Sequence, residues 1–319
     1  MAGMEDYPEN QAEFESCFGT EAACEAYLLK LRWPGGFLCP RCSGNQGWVT
    51  KRGLVVCRNC GYQSSLRAGT IFEGSHKPLG LWFRAIWYLT GAKNGASAMT
   101  VQKVLGLGSY QTAWTWLHKL RRAMVTPGRE RLRGEIEVDE TFLGAPEEGC
   151  HGRRMLRKTM VVVAAERKAP GIGRIRMRRI PDGKAKSLHP FVWDSIDPGS
   201  TLYTDDWQGY AGLEAQGYRR QSTKIARSGQ TASDVLPGVH RVVSLLKRWL
   251  LGTHQGAVSH EHLDYYLDEF TFRFNRRTSQ SRGKLFYRLM QNAVRVPPTP
   301  YQNLIQGVRG RPGKGDHNI

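Results

Sequence analysis

Apolar and polar residues recur along the chain with a period that changes from one region to the next. Apolar positions at helical spacing run through residues 79–125, and a shorter helical pattern covers residues 20–31. From residue 135 onward the pattern changes to short apolar or alternating runs, which are typical of strands, with helical segments between and after them. We therefore predict a mainly helical first half and a mixed α/β second half.

Four short runs in the second half predict the strands of one sheet. They lie at residues 135–139, 158–166, 173–180 and 202–207, and a helical pattern begins at residue 239. The first run alternates acidic and apolar residues, which places Glu135, Glu137 and Asp139 on one face of its strand. The fourth run ends in two carboxylates, of which Asp205 is the first. Three strands, a helix, a strand and later helices follow the order of an RNase H-like mixed sheet with flanking helices, in which the first and fourth strands are neighbours.

The composition adds a strong positive charge. The chain has 46 lysines and arginines against 28 aspartates and glutamates, for a formal net charge of +18. A soluble chain this basic commonly binds a polyanion, so nucleic acid is the expected partner. The apolar runs are too short to span a bilayer and the first residues lack the apolar segment of a signal peptide. We expect a cytoplasmic, nucleoid-associated protein with no membrane partner, whose cysteines stay reduced.

Four of the seven cysteines form two closely spaced pairs. Cys39 and Cys42 are separated by fourteen residues from Cys57 and Cys60, and each pair has the pattern CxxC. Two such turns can hold four thiolates tetrahedrally around one Zn²⁺, and the bound metal then substitutes for a core too small to fold alone. We predict a structural zinc ribbon over residues 33–70.

Residues 96–124 have the pattern of a helix, a turn and a second helix, within a predicted DNA-binding region at residues 78–126. The second helix carries Lys119, Arg121 and Arg122 outside its apolar stripe. Such a helix can lie in a major groove with its basic end on phosphates. A plain helical hairpin is the alternative.

The third predicted strand has a cationic face. Arg174, Arg176 and Arg178 share one side of this strand because they are spaced by two residues. A face of this kind can follow a phosphate backbone, and a merely solvated sheet face is the alternative.

Taken in order, these motifs resemble the insertion-sequence transposases that join a zinc ribbon to a catalytic domain of the Asp-Asp-Glu class, a bacterial group related to the Merlin elements. The resemblance covers about residues 33–288 and rests on the segments CPRC, CRNC, GTIF, PLGLWFRAIW, VDET, YTDDW, SLLKRWLLGTHQG and HLDYYLDEFTFRFNRR. We accordingly expect an N-terminal helix (1–32), the zinc ribbon (33–70), the helix-turn-helix region (78–126), an RNase H-like catalytic domain (133–294) and a basic flexible tail (295–319).

The resemblance implies roles for four residues. Asp139 and Asp205 would bind the catalytic Mg²⁺ or Mn²⁺, and Lys247 would hold a phosphate near the scissile bond. The third catalytic position, where many relatives carry Glu or Asn, is His240 in this chain. Mg²⁺ prefers oxygen ligands, so an imidazole is an imperfect replacement that Mn²⁺ tolerates better.

The role of the third catalytic position therefore stays open. His240 can bind metal, orient or deprotonate the attacking water, or be an ordinary histidine on a helix face. Asp268 or Glu269 can instead supply the missing oxygen.

The resemblance implies a DNA transposase that binds terminal inverted repeats and then cleaves and joins DNA strands, as a homo-oligomer on DNA and with divalent metal. Two other functions remain open at this point. One is a non-catalytic DNA-binding regulator derived from a transposase. The other is an RNase H-like nuclease without strand transfer.

Overall fold

The computed structural model describes residues 6–50, 52–126, 128–144, 158–224, 229, 231–256 and 258–306. The chain divides into two compact units, residues 1–127 with 279–319 and residues 128–278. The strands are β1 (Gly47–Val49), β2 (Leu54–Cys57), β3 (Gln63–Ser65), β4 (Glu135–Leu143), β5 (Thr159–Lys168), β6 (Gly171–Ile180), β7 (Thr201–Asp205) and β8 (Arg219–Thr223). The α-helices are α1 (Gln11–Cys17), α2 (Glu21–Arg32), α3 (Leu79–Gly91), α4 (Ala98–Leu105), α5 (Tyr110–Ala123), α6 (Ala185–Ser195), α7 (Ala232–Val235), α8 (Pro237–His254), α9 (Leu263–Asn275), α10 (Arg282–Ala293) and α11 (Tyr301–Ile305).

The first unit is built around a cluster of aromatic rings. The ring centroids of Phe18 and Phe83 lie 5.0 Å apart, and those of Phe14 and Phe286 lie 5.7 Å apart. Phe286 belongs to α10 and is buried in this cluster, so α10 is part of the first unit. The second unit consequently ends at residue 278, earlier than the boundary at residue 294 that the sequence pattern indicated for the catalytic domain.

The helical pattern of residues 79–125 folds as α3, α4 and α5. Gly106 ends α4 with a positive φ of 62°, which a glycine adopts without strain. Ser109 caps α5, because its side chain accepts a hydrogen bond from the backbone N–H of Thr112 at 3.1 Å. The predicted turn and cap are therefore confirmed, whereas DNA reading by these helices stays a prediction.

The second unit contains a mixed five-stranded sheet with the order β6-β5-β4-β7-β8. β5 pairs antiparallel with β4 and β6, whereas β4, β7 and β8 are parallel to one another. The predicted neighbourhood of the first and fourth strands is thus confirmed. Seven successive residues of β5, 159–165, are buried, because helices cover both faces of the sheet.

Each face of this sheet has its own apolar core. On one face, α6 packs against β4 and β7 through a core that includes Ile136, Val138, Val192 and Leu202. On the opposite face, α8 and α9 pack through a core that includes Val161, Val163, Val242 and Leu267. Because side chains of a strand alternate between faces, Glu135, Glu137 and Asp139 of β4 lie on the α8 side.

The first part of the predicted flexible tail lies within the described residues. Within residues 295–306, helix α11 packs against α5 and buries Leu304. The rest of the predicted tail, residues 307–319, lies outside the described residues. In the described part of the chain, every helix is too short or too polar to cross a membrane.

Candidate active site and zinc site

The parallel pairing of β4 with β7 brings two aspartates together. Glu137 is the partner of Tyr203 in this pairing, and Asp139 and Asp205 each follow two residues later on the same face. Neighbouring strands lie about 4.8 Å apart, so the two carboxylates lie side by side on the face that α8 covers. Asp205 is held at the end of β7, where its Oδ1 accepts a hydrogen bond from the backbone N–H of Trp207 at 3.1 Å.

The environment of Asp139 disfavours its negative charge. Burial raises the pKa of Asp139 to about 6, and the charge of Asp205 adds to this rise. The backbone N–H of Glu140, at 2.8 Å from Asp139 Oδ1, and the nearby His240 act in the opposite direction but do not cancel it. Two adjacent carboxylates in such a site are stabilised by a bound cation.

His240 completes the site from α8. Its Nε2 atom lies 3.6 Å from Asp139 Oδ2, too far for a hydrogen bond. The same nitrogen is buried and has no hydrogen-bond partner among the described residues. The two carboxylates and the imidazole nitrogen are chemically suited to a divalent cation, with Mn²⁺ suited to the nitrogen better than Mg²⁺. Their ligand atoms do not all lie within 4.8 Å of one another in this structure.

Lys247 lies farther along the same helix. Seven residues separate it from His240, which is about 10 Å along a helix axis. Lys247 is exposed and makes no ion pair with a described residue. The structure therefore does not bring its ammonium group into immediate contact with the carboxylates.

The alternative third residues lie elsewhere in the fold. Asp268 and Glu269 belong to α9, which packs on β6, two strands away from β4. Both side chains are buried, and Glu269 forms an ion pair of 2.8 Å with Arg273 on the same helix. Asp268 and Glu269 therefore do not lie beside the Asp139 and Asp205 carboxylates. His240 on α8 does lie beside Asp139.

Two further residues lie close to the carboxylates, on the α6 side of the sheet, and sequence reasoning missed both. Tyr210, fully buried behind β7, lies close enough to Glu140, Asp139 and Asp205 that burial and these carboxylates raise its pKa well above the usual value. Both carboxylate oxygens of Glu140 are buried as well. Glu140 could have been recognised in the sequence because it directly follows Asp139. No neighbouring residue or motif points to Tyr210.

The four cysteines of the ribbon converge as the spacing predicted. Cys39 Sγ lies 3.7 Å from Cys60 Sγ, and Cys42 Sγ lies 3.6 Å from Cys57 Sγ. Four sulfurs around a zinc with Zn–S bonds of about 2.3 Å are separated by about 3.8 Å, so these positions fit a tetrahedral Zn²⁺. Within the described residues, this is the set of three or more potential ligands whose ligand atoms all lie within 4.8 Å of one another.

The basic residues predicted for DNA binding on α5 are engaged within the protein. Arg121 is buried with 1% of its surface exposed, so it cannot reach a phosphate from this position. Lys119 donates a hydrogen bond to the carbonyl of Glu73 at 3.3 Å, and burial lowers its pKa. Arg122 donates to the hydroxyl of Thr299. The exposed part of α5 is instead its first turn, at Tyr110 and Gln111.

The arginines of β6 are likewise paired. Arg174 forms an ion pair of 2.8 Å with Glu166, and Arg178 forms one of 2.8 Å with Asp194. Arg176 is buried, which lowers its pKa to about 9. The face predicted to follow phosphates therefore contacts other parts of its own unit, because Glu166 on β5 and Asp194 on α6 pair with its arginines.

Comparison with known families gives two matches. Residues 131–275 match the family described as ISXO2-like transposase domain, and residues 19–63 match the family described as transposase zinc-ribbon domain. A protein in transposable element ISH50 of Halobacterium salinarum is 25% identical over 279 residues, which cover 80% of this chain and 91% of that relative. The first match implies an RNase H-like fold for the five-stranded sheet. The two matched regions contain, respectively, the candidate carboxylate site and the four cysteines.

Proposed function

We propose that this chain, which carries the zinc ribbon and the catalytic-type domain of insertion-sequence transposases, cleaves DNA at the ends of a mobile element and joins them to a target with divalent metal ions. The observation that carries the proposal is the convergence of Asp139, Asp205 and His240 on one face of the sheet. A non-catalytic regulator has no need of this arrangement.

Each residue has a distinct part in the proposed reaction. Asp139 and Asp205 would hold divalent cations, whose positive charge would favour an activated attacking oxygen and a leaving 3′-oxygen. His240 contributes a nitrogen ligand or orients the attacking water. Lys247 binds a phosphate of the strand that is cut. In the first step a water would attack the phosphorus at the element end and break its bond to the 3′-oxygen, which leaves a 3′-OH and a 5′-phosphate. In the second step this 3′-OH would attack a phosphorus of the target strand in the same site and release the target's own 3′-OH.

DNA binding in the proposed function is divided between the two units. The zinc ribbon and the exposed start of α5 read the terminal repeat, and α8 meets the phosphates near the cleavage site. Arg241, Lys247 and Arg248 are exposed on α8 and make no ion pair with a described residue. Since two element ends must meet for transposition, we further propose that the protein acts as a homo-oligomer on DNA.

We expect the free cations of α8 to contribute measurably to the salt dependence of DNA binding. Replacing Lys247 and Arg248 by Ala removes two phosphate contacts, which lowers the slope of log K against log salt by about 1.8. The measurement is fluorescence anisotropy of a labelled repeat duplex at several salt concentrations.

The matched control for this experiment is Arg178→Ala, which also removes a positive charge but one already held by Asp194. The slope for this variant is expected to change by less than about 0.5, because a guanidinium that is already paired with a carboxylate displaces few counterions from DNA. Equal slope changes per charge removed, in the double variant and in the control, would contradict a specific role of α8.

The experiment that tests the proposed function is nicking of a duplex that carries the repeat of the element. We expect the purified protein to cut one strand at the repeat end when Mg²⁺ or Mn²⁺ is added, and not in a buffer without added divalent ions. Tight repeat binding with no cleavage under either metal would favour the regulator. Cleavage without joining of the released 3′-OH to a target would favour the simple nuclease.

A further inference from the structure

The start of α8 is attached to β4 by a buried carboxylate that the proposed reaction does not use. Glu137 Oε2 accepts a hydrogen bond from the backbone N–H of Val239 at 2.9 Å. Glu137 Oε1 accepts one from Arg167 Nε at 2.9 Å, and only 3% of the Glu137 side chain is exposed. A β-carbon at Gly238 would lie 2.9 Å from Glu137 Oε2, so a glycine is needed for this close approach.

Arg167 extends the same attachment. One of its terminal nitrogens donates a hydrogen bond to the carbonyl of Val235 at 3.2 Å, just before α8 begins. Its guanidinium also lies over the ring of Tyr203 in β7, 3.6 Å from the ring centroid. Glu137 and Arg167 thus connect β4, β7 and the start of α8 at one point.

The positions of these contacts relate them directly to the proposed site. Glu137 precedes Asp139 by two residues on β4, and Val239 immediately precedes His240 on α8. A carboxylate at a helix N-terminus also satisfies a backbone N–H that has no partner within the helix and interacts favourably with the helix dipole. Displacing the carboxylate would therefore free the first turn of α8, which carries His240.

We infer that Glu137, together with Arg167, is a positioning residue that sets the separation of His240 from Asp139. The inference rests on the proposed function, since it assigns Glu137 an effect through His240 and not a contact with DNA or metal. Both Glu137 oxygens are engaged and buried, which leaves neither one directed at a cation in the site.

The test is a double-mutant comparison in the full-length protein. Glu137→Ala is expected to slow nicking about 100-fold, because a misplacement of about 1 Å in a catalytic group can have an effect of that size. In a protein that already carries His240→Ala, the same substitution is expected to slow nicking by less than about threefold. Equal losses on both backgrounds would overturn the inference, because a general structural role acts independently of His240.

Two further variants separate positioning from loss of folding. Gly238→Ala presses on Glu137, so we expect a slower reaction, by about tenfold, in a protein that keeps its fold by circular dichroism, because the higher helix propensity of Ala offsets part of the strain. Glu166→Ala is the matched control, because Glu166 also pairs with an arginine of the sheet, Arg174 at 2.8 Å, but its hydrogen bonds go to Arg133 and Arg174 and not to α8. The control is expected to have the same effect on both backgrounds, and a dependence on His240 equal to that of Glu137 would contradict the inference.

A spectroscopic readout keeps the inference testable apart from activity. In protein labelled with ¹³C on the histidine rings, the His240 signal is identified by its absence in His240→Ala. We expect this signal to shift in Glu137→Ala and Gly238→Ala and to stay in place in Glu166→Ala. An unshifted signal in Glu137→Ala would overturn the inference, whereas a shift in a protein that fails to nick DNA would support it and count against the proposed function.

Discussion

Replacing either Asp139 or Asp205 by Ala is expected to slow DNA nicking by about 1,000-fold or more, because each substitution removes a ligand on which cation binding and the charge stabilisation at the reacting oxygens depend. The fold should survive, since each substitution also removes one of two adjacent like charges, one of which has a raised pKa. We expect the melting temperature to stay the same or rise. The measurement is single-turnover nicking of repeat DNA beside a melting curve of each variant.

Asp206→Ala is the matched control for these variants. Asp206 is the next residue after Asp205, but it is exposed and its carboxylate lies 3.6 Å from Lys224 in a surface ion pair. Such pairs contribute about 0–1 kcal/mol, so folding and nicking should change little. Nicking that survives in Asp139→Ala or Asp205→Ala, or that is lost equally in Asp206→Ala, would show that the proposed pair of ligands is wrong.

The second large effect is expected at the zinc ribbon. Cys57→Ser removes a thiolate from a site whose zinc contributes on the order of 10–16 kcal/mol of apparent binding free energy in small zinc domains. We expect the variant to lose its zinc, to unfold over the ribbon and to bind the repeat much more weakly. Zinc per chain, measured by native mass spectrometry, and repeat binding by anisotropy check this result.

Cys17→Ser is the control for the cysteine substitution. Cys17 is an exposed cysteine of α1 outside the four-cysteine cluster. This variant is expected to keep one zinc per chain and its affinity for the repeat. A Cys57→Ser protein with the same zinc content and affinity as Cys17→Ser would contradict the ribbon as a structural zinc site.

Sequence patterns correctly predicted those features of the two sites that are encoded within one segment or in the order of the segments. The alternation in β4 determined which residues share a face with Asp139, and the spacing of the CxxC pairs determined the zinc ligands. The neighbourhood of β4 and β7 followed from the order of strands and helices. In each case the information lies within one segment or in the order of segments, and the structure agrees.

The sequence pattern could not show which charged side chains are already paired inside the protein, because their partners lie on other helices and strands. Arg178 looked free because its partner Asp194 lies on α6, and Arg122 looked free because Thr299 packs against it from the C-terminal segment. Glu137 shares a face with Asp139 in the sequence pattern, and only the fold shows that its carboxylate accepts a hydrogen bond from the start of α8. A charge on a strand or helix face can be assigned to a ligand only when its internal partners are known.

The most direct test of the proposed function is strand transfer by the wild-type protein. A duplex that ends in the element's terminal repeat with a free 3′-OH is mixed with target DNA in Mg²⁺ or Mn²⁺, beside Asp139→Ala and Asp206→Ala. We predict joined product from the wild type and from Asp206→Ala, and none from Asp139→Ala. Joined product from Asp139→Ala, or its absence from wild-type protein that binds the repeat tightly, would contradict a metal-dependent transposase built on these carboxylates.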